Sequence, residues 1–195
     1  MNQKSRSTNQ MEKILLAAAK LFRKKSFLGT TIEDVASRLK INKAMIFYYF
    51  DSKTNLLYEI MSKAIDERIE KAELIVSKNT SPVGKIEALV KGHVKAVTDT
   101  TSLTGVSQFE LKNLPPKLIQ KYIAKRDTYE LIYVDILREA ADLGYIRKSD
   151  PAMTARFILG ELNSLATWFK PTGPLSSEEV GEQVWEFIVS AIGAR

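Results

Sequence analysis

The first 81 residues contain no proline and a single glycine, Gly29. Proline removes a backbone donor and breaks helices, and glycine destabilises them, so a stretch without them has few built-in stops. Such a chain folds into helices that end only where capping residues stop them. From Pro82 onward the punctuation returns, with all six prolines and the other eight glycines. No segment alternates polar and apolar residues with the period of a strand, and no internal repeat is evident. The predicted fold is all-α.

In MEKILLAAAKLFRKK, Ile14, Leu15, Ala18, Leu21 and Phe22 recur at helical spacing and form one apolar face. SFLGT interrupts it. Thr31, followed three residues later by Asp34, has the form of a capping box. It opens a short second helix with Ile32, Val35, Ala36 and Leu39 on one side. Lys40 and Ile41 make a turn, and Asn42 caps a third short helix through Tyr49. Ser52 caps a long fourth helix carrying Leu56, Leu57, Ile60, Met61, Ala64, Ile65 and Ile69.

Beyond it, the pattern predicts a helix from Pro82 to Thr98, then the polar stretch TDTTSLTG. A long helix follows Pro115 and Pro116, burying Ile119, Ile123, Ile132, Tyr133, Ile136, Leu137 and Ala140 and ending near Gly144. Asp150 and Pro151 open another, to about Phe169, since proline suits a first turn. After the loop KPTGPLS, Ser176 and Glu179 form a second capping box. The last helix carries Val180, Val184, Trp185, Ile188, Val189 and Ile192.

Charge separates a head from a body. Residues 1–55 hold eleven basic and four acidic side chains, a net +7, while the rest of the chain sums to −1. A basic segment on a near-neutral body is the footprint of a polyanion-binding head. There is no cysteine, which removes disulfides, thiolate zinc sites and cysteine nucleophiles together. The polar N-terminus MNQKSRSTNQ has no apolar leader, and no run approaches the roughly 20 apolar residues of a membrane span. A soluble, cytoplasmic protein is the expectation.

Within the head, Phe47, Tyr48, Tyr49 and Phe50 are consecutive. Four successive helical positions point in four directions, so they cannot share one core. A short capped helix, a turn and a second short helix make a helix-turn-helix, whose second helix can enter the major groove of DNA. Ile46 and Phe50, four apart, face the core, with Phe47 partly against the first helix. Asn42, Lys43, Met45, Tyr48 and Tyr49 are left for DNA, with Ala44 small enough to allow a close approach. Lysine and asparagine supply charge and hydrogen bonds, and methionine an apolar contact for a thymine methyl.

Residues 14–57, ILLAAAKLFRKKSFLGTTIEDVASRLKINKAMIFYYFDSKTNLL, resemble the N-terminal domain of TetR-family transcriptional regulators. The likeness rests on Ala18, Leu21 and Phe22, on Thr30-Thr31, on Val35-Ala36, on the aromatic run ending in Phe50, and on Ser52-Lys53. It implies a homodimer that binds a palindromic operator in double-stranded DNA, represses, and lets go when a small molecule binds the C-terminal part. It further implies phosphate contacts from Thr30 or Thr31 and from Lys53, with Lys43, Ala44, Met45, Tyr48 and Tyr49 in or beside the groove. Three residues depart from the family pattern: Ser26 and Lys40 stand where glycine is common, and Phe47 replaces a tyrosine whose hydroxyl reaches a phosphate. The division that follows is a DNA-binding head at residues 8–55 and a sensing and dimerisation body at 56–195, joined by the fourth helix.

The last two helices, from FILGELNSLATWF to the C-terminus, resemble the dimerisation helices of the same family, which implies interface roles for Leu159, Leu162, Val184 and Ile188. The pattern Asn163, Trp168, Gly173-Pro174-Leu175-Ser176 is similar to that of members responding to acyl-CoA thioesters. Candidate effector contacts are Phe109, Tyr129, Tyr133, Asn163 and Trp168. His93, the single histidine, has no carboxylate or histidine at metal-ligand spacing and reads as a surface or pocket-lining residue. No metal or cofactor is expected. No phosphate-binding glycine loop, HExxH or GxSxG occurs, and one histidine without cysteine leaves poor nucleophile–base options, so no enzyme is expected. The competing reading is a DNA-binding adaptor of the same fold that senses no small molecule and works through a protein partner.

Overall fold

The computed structural model describes residues 3–99 and 103–194, with side chains from residue 8 onward except 107 and 108. The side chains of Lys4 and Arg6, counted in the basic head, and residues 100–102 of the polar stretch lie outside that description. The helices are α1 (Gln3–Lys25), α2 (Ile32–Leu39), α3 (Lys43–Tyr49), α4 (Lys53–Val76), α5 (Pro82–Thr98), α6 (Val106–Glu110), α7 (Pro116–Asp142), α8 (Pro151–Trp168) and α9 (Ser177–Ile192). A 3-10 turn, Leu111–Asn113, follows α6. Among the described residues there is no strand.

The chain forms two compact units, Met1–Ala64 with Thr101–Ile123, and Ile65–Thr100 with Ala124–Arg195. Unit 1 therefore takes in α6 as well as α1 to α3. The unit boundaries fall inside α4 and α7.

In unit 1 the core consists of Ile14, Leu15, Ala18, Phe22, Val35, Ile46, Phe50, Leu56, Leu57, Ile60 and Met61, all essentially shut off from solvent. The capping box at α2 is complete: Asp34 N donates to Thr31 Oγ1 at 3.0 Å and Thr31 N to Asp34 Oδ2 at 2.9 Å. Such a cap contributes about 0.5–2 kcal/mol. Helix α2 ends with Lys40 at φ 54°, where Ile41 N donates to Ala36 O and Lys40 N to Ser37 O. That is a Schellman motif, which needs a left-handed residue.

The α1–α2 turn is more heavily held. Ser26 is also left-handed, at φ 64°. Phe27 N donates 2.9 Å to the buried Glu110 carboxylate of α6, and Asn113 Nδ2 donates to the same carboxylate's other oxygen. Arg23 Nη1 reaches Thr104 O at 3.0 Å. At Gly29, a Cβ would lie 2.3 Å from Lys25 O, so only glycine fits this close approach. The sequence reading places no helix between the polar stretch and Pro115, because the five residues of α6 carry too little periodicity to stand out.

In unit 2, α5 packs on α8 and α9. Ile86, Leu89, Val90, Val94, Tyr133, Leu137, Ala155, Ile158, Leu162, Leu165 and Ile188 form the core. Across its two units, helix α7 buries Tyr122, Tyr129, Tyr133, Ile136, Leu137 and Ala140, while Ile119 and Ile132 are half-buried and Ile123 is exposed. The buried positions 129, 133, 136, 137 and 140 recur at helical spacing, and this face carries Tyr129, Tyr133 and Ile136 while Ile123 falls off it. The capping box at Ser176 and Glu179 forms as expected.

Candidate nucleic-acid interface and sensor core

Helix α3 resolves the aromatic run by direction. Ile46 and Phe50 are buried; Tyr48 is 77% exposed, and Lys43, Ala44, Met45 and Phe47 are exposed with it. Tyr49 is half-buried, edge-on to Tyr48 at 5.0 Å and tilted against Phe50 at 6.4 Å. Asn42 caps α3 by accepting Ala44 N at 2.9 Å, so its carbonyl oxygen is engaged while its amide nitrogen is left to the surface. Lys43 pairs with Glu33 at 3.2 Å on the surface. Glu33's pKa is lowered by its own backbone hydrogen bond and by Lys43. A surface pair of this kind contributes little and is readily exchanged for phosphate.

Two expected phosphate contacts need correction. Thr30 is 0% exposed, and its hydroxyl donates to Ser26 O at 2.8 Å and to Leu21 O at 3.3 Å. It braces the turn from inside and has no surface to offer; Thr31 is the exposed member of the pair. Lys53 donates to Phe27 O and Thr30 O, both at 2.9 Å, and its ammonium lies 4.2 Å from the centre of the Phe27 ring. An ammonium so engaged fastens α4 to the α1–α2 turn, so a phosphate would have to compete with two carbonyls for it. Spacing alone cannot distinguish a lysine that faces outward from one folded back onto carbonyls.

In unit 2, His93 lies at the centre of a buried polar chain. Arg68 Nη1 is 3.4 Å from His93 Nε2, Tyr129 Oη is 3.2 Å from His93 Nδ1, and Tyr133 Oη is 3.4 Å from Tyr129 Oη. Tyr133 then donates to Leu89 O at 3.1 Å. Arginine can only donate, so Nε2 must accept and the ring proton sits on Nδ1, donating to Tyr129. Each hydroxyl then accepts once and donates once, and the chain has one consistent direction. Burial, and secondarily the charge of Arg68, push the His93 pKa well below its ordinary value, opposed by Asn163, which accepts from the charged form of the ring. Burial likewise raises both tyrosines.

This core gathers three of the expected effector residues, Tyr129, Tyr133 and Asn163, but as packed structure: Tyr133 is wholly buried and Tyr129 nearly so. Phe109 lies on α6 in unit 1 and is 51% exposed. Trp168 is outside this core, exposed on α8 with its Nε1 donating to Ser164 Oγ. His93, expected at a surface or pocket wall, is buried, with one side of its ring against a groove between α4 and α5. Arg68 escapes notice in the sequence, although it interrupts the apolar stripe Met61, Ile65, Ala72, Ile75 at the i+7 position. A cation on a buried face is the signal that could have found it. Its Nε is shut off from solvent and has no acceptor among the described residues, a condition that costs about 1–3 kcal/mol.

On α8 and α9, Leu162, Val184 and Ile188, expected at a dimer interface, are buried in the chain's own core, and Leu159 is half-buried. The exposed apolar side chains are instead Met153, Phe157 (71%) and Trp168 on α8 and Phe187 (66%) on α9. A cleft of about 270 Å³ runs between Phe157 and Phe187. Among the described residues no helix is long and apolar enough to cross a membrane.

Comparison with known proteins agrees with this anatomy. The family model "Tetracyclin repressor-like, C-terminal domain" matches residues 79–192, and "Bacterial regulatory proteins, tetR family" matches residues 14–60. The HTH-type transcriptional repressor KstR2 of Mycolicibacterium smegmatis is 26% identical over 190 residues, which cover 96% of this chain and 93% of that protein. The TetR-family regulator PfmR from Thermus thermophilus has a similar structure, with a TM-score of 0.84 at 30% identity over 91% of this chain and 97% of that one. AibR, solved in complex with isovaleryl coenzyme A and operator DNA, shares the fold with a TM-score of 0.83 at 23% identity, over 95% of this chain and 100% of AibR. The chain belongs to the TetR family of bacterial regulatory proteins, as a helix-turn-helix transcriptional regulator and not an enzyme.

Proposed function

We propose that this chain is a homodimeric repressor that holds a palindromic operator in the cytoplasm and releases it when an acyl-CoA thioester binds its body. The observation that carries the DNA half is the sidedness of α3: Ile46 and Phe50 anchor it while Asn42, Lys43, Ala44, Met45, Phe47 and Tyr48 present a surface of hydrogen-bonding, cationic and apolar groups. Thr31, exposed at the start of α2, supplies a backbone-phosphate contact when its hydroxyl turns from Asp34 Oδ2, to which it donates at 3.1 Å. KstR2 is a repressor, which supports repression, and AibR was solved with isovaleryl-CoA and operator DNA, which supports the effector class. The apolar face of Met153, Phe157, Trp168 and Phe187 is the surface on which two copies pair.

Release follows from the continuity of α4 and α7, each of which runs from one unit into the other. An effector that prefers one arrangement of the unit 2 halves shifts the population of head positions. Two half-sites about 34–36 Å apart tolerate little change in head spacing. The packed state of Tyr129 and Tyr133 favours a second reading, the adaptor that binds no small molecule.

Selection of bound sequences from a random DNA pool, followed by challenge with isovaleryl-CoA, tests the proposal. A palindrome released by the thioester is the expected result. A palindrome that no acyl-CoA releases, with no shift of Tm, supports the adaptor, and sequence-blind binding sinks the operator reading.

A further inference from the structure

The groove between α4 and α5 has a volume of about 290 Å³. Arg68, Lys71 and Lys78 line it over an apolar floor that includes Ala72, Ile75 and Leu89, and no carboxylate is among its lining residues. Three cations around apolar surface, with no acid to neutralise them, complement a molecule that is anionic at one end and apolar at the other. At the inner end the Arg68 guanidinium rests 5.4 Å from the Tyr129 ring centre and reaches His93 only through a long 3.4 Å contact. Its Nε has no acceptor among the described residues. The guanidinium is thus held loosely and is incompletely paired, beside an open groove.

We infer that this groove binds the effector: a short acyl chain lies on the apolar floor, its thioester carbonyl accepts from the Arg68 guanidinium, and the phosphates of the CoA part meet Lys71 and Lys78. This rests on the acyl-CoA reading above and adds where and how the molecule is held. The volume is at the small end for ligand sites, which selects short acyl groups. Arg68 Nε is closed to solvent, so pairing requires the guanidinium to turn toward the groove and give up its contact with His93. Occupation of the groove is thereby transmitted into the buried polar chain that ends on Leu89 O in α5. A lysine at position 68 keeps the charge but loses the planar, multiple-donor geometry.

Calorimetric titration of the full-length protein with isovaleryl-CoA and with free CoA tests the site. Wild type is expected to bind the thioester at least tenfold more tightly than CoA. Arg68→Lys should weaken thioester binding about tenfold or more, and Lys71→Glu with Lys78→Glu should do so at exposed positions that the fold does not need. Gly92→Leu offers a blocking variant, because a Cβ at Gly92 meets nothing nearer than Ile75 Cδ1 at 3.9 Å; it should keep its Tm and lose binding. The single histidine adds a signature: its NMR ring signals should move on titrating wild type, and at equal occupancy move less in Arg68→Lys, where no guanidinium contact is given up. Equal binding by wild type and all three variants overturns the site while leaving the effector class intact. Failure of wild type to bind any acyl-CoA while it still binds its operator overturns the effector class and the site together. Equal binding of CoA and thioester overturns the role given to the acyl floor.

Discussion

Three helices end on the same Schellman hydrogen bonds, with Lys40, Gly144 and Gly193 as the left-handed residue. Two of them use glycine, for which this conformation is free of strain; Lys40 carries a Cβ into it at a cost of about 1–2 kcal/mol. Lys40→Gly should therefore raise the unfolding free energy by about 1 kcal/mol in urea titration, against the usual destabilising effect of adding glycine. Lys40 stands where glycine is common in the family, and its φ of 54° is the conformation that glycine adopts without strain. His93 offers a second single-residue test. Its folded pKa lies below the unfolded one, so below about pH 6.5 the unfolded chain takes up a proton that the folded chain refuses. Stability should be fully present above pH 7 and fall by about 1 kcal/mol between pH 6.5 and 5.5 by this linkage alone. His93→Gln, whatever its absolute stability, should flatten the Tm profile across that window, and the chain has no other histidine to obscure it.

At the scale of elements, α3 is seven residues long and cannot persist alone, since short helices rely on tertiary packing. Ile46 and Phe50 supply that packing, which frees the opposite side for recognition. Phe50→Ala should cost roughly 3–5 kcal/mol by denaturant unfolding. Tyr48→Ala, at a largely exposed position, should change stability by no more than about 0.5 kcal/mol yet weaken operator binding in a fluorescence-anisotropy titration. Tyr48 is the cleaner probe, because Tyr49 is half-buried between Tyr48 and Phe50 and its truncation would mix both effects.

For the whole molecule, Met153, Phe157 and Trp168 on α8 and Phe187 on α9 form one group of apolar side chains that a single chain leaves uncovered. A large exposed apolar patch is a place where another surface binds, and a two-fold axis lets one patch cover itself. Phe157→Glu combined with Phe187→Glu should convert a dimer to a monomer in light scattering at micromolar concentration. Operator affinity should fall by at least a hundredfold, while far-UV circular dichroism stays unchanged because both side chains lie outside the core. Unaltered dimer mass would move the interface elsewhere.

Helix positions, caps and the head's arrangement were legible in the sequence because they depend on neighbours within about four residues: Thr31 with Asp34, Ser176 with Glu179, and the spacing of Ile46 and Phe50 are local facts. Which side of an apolar stripe meets its own chain is not local. Leu162 and Ile188 belong to stripes as apolar as those of Phe157 and Phe187, and only the packing of α5 against α8 and α9 sends the first pair inward. The same holds for Thr30, Lys53 and Arg68, whose side chains find partners or lose them across 9 to 26 residues of sequence. Periodicity determines that a face is buried, and the free energy of burial is non-directional; tertiary structure decides what that face is buried against.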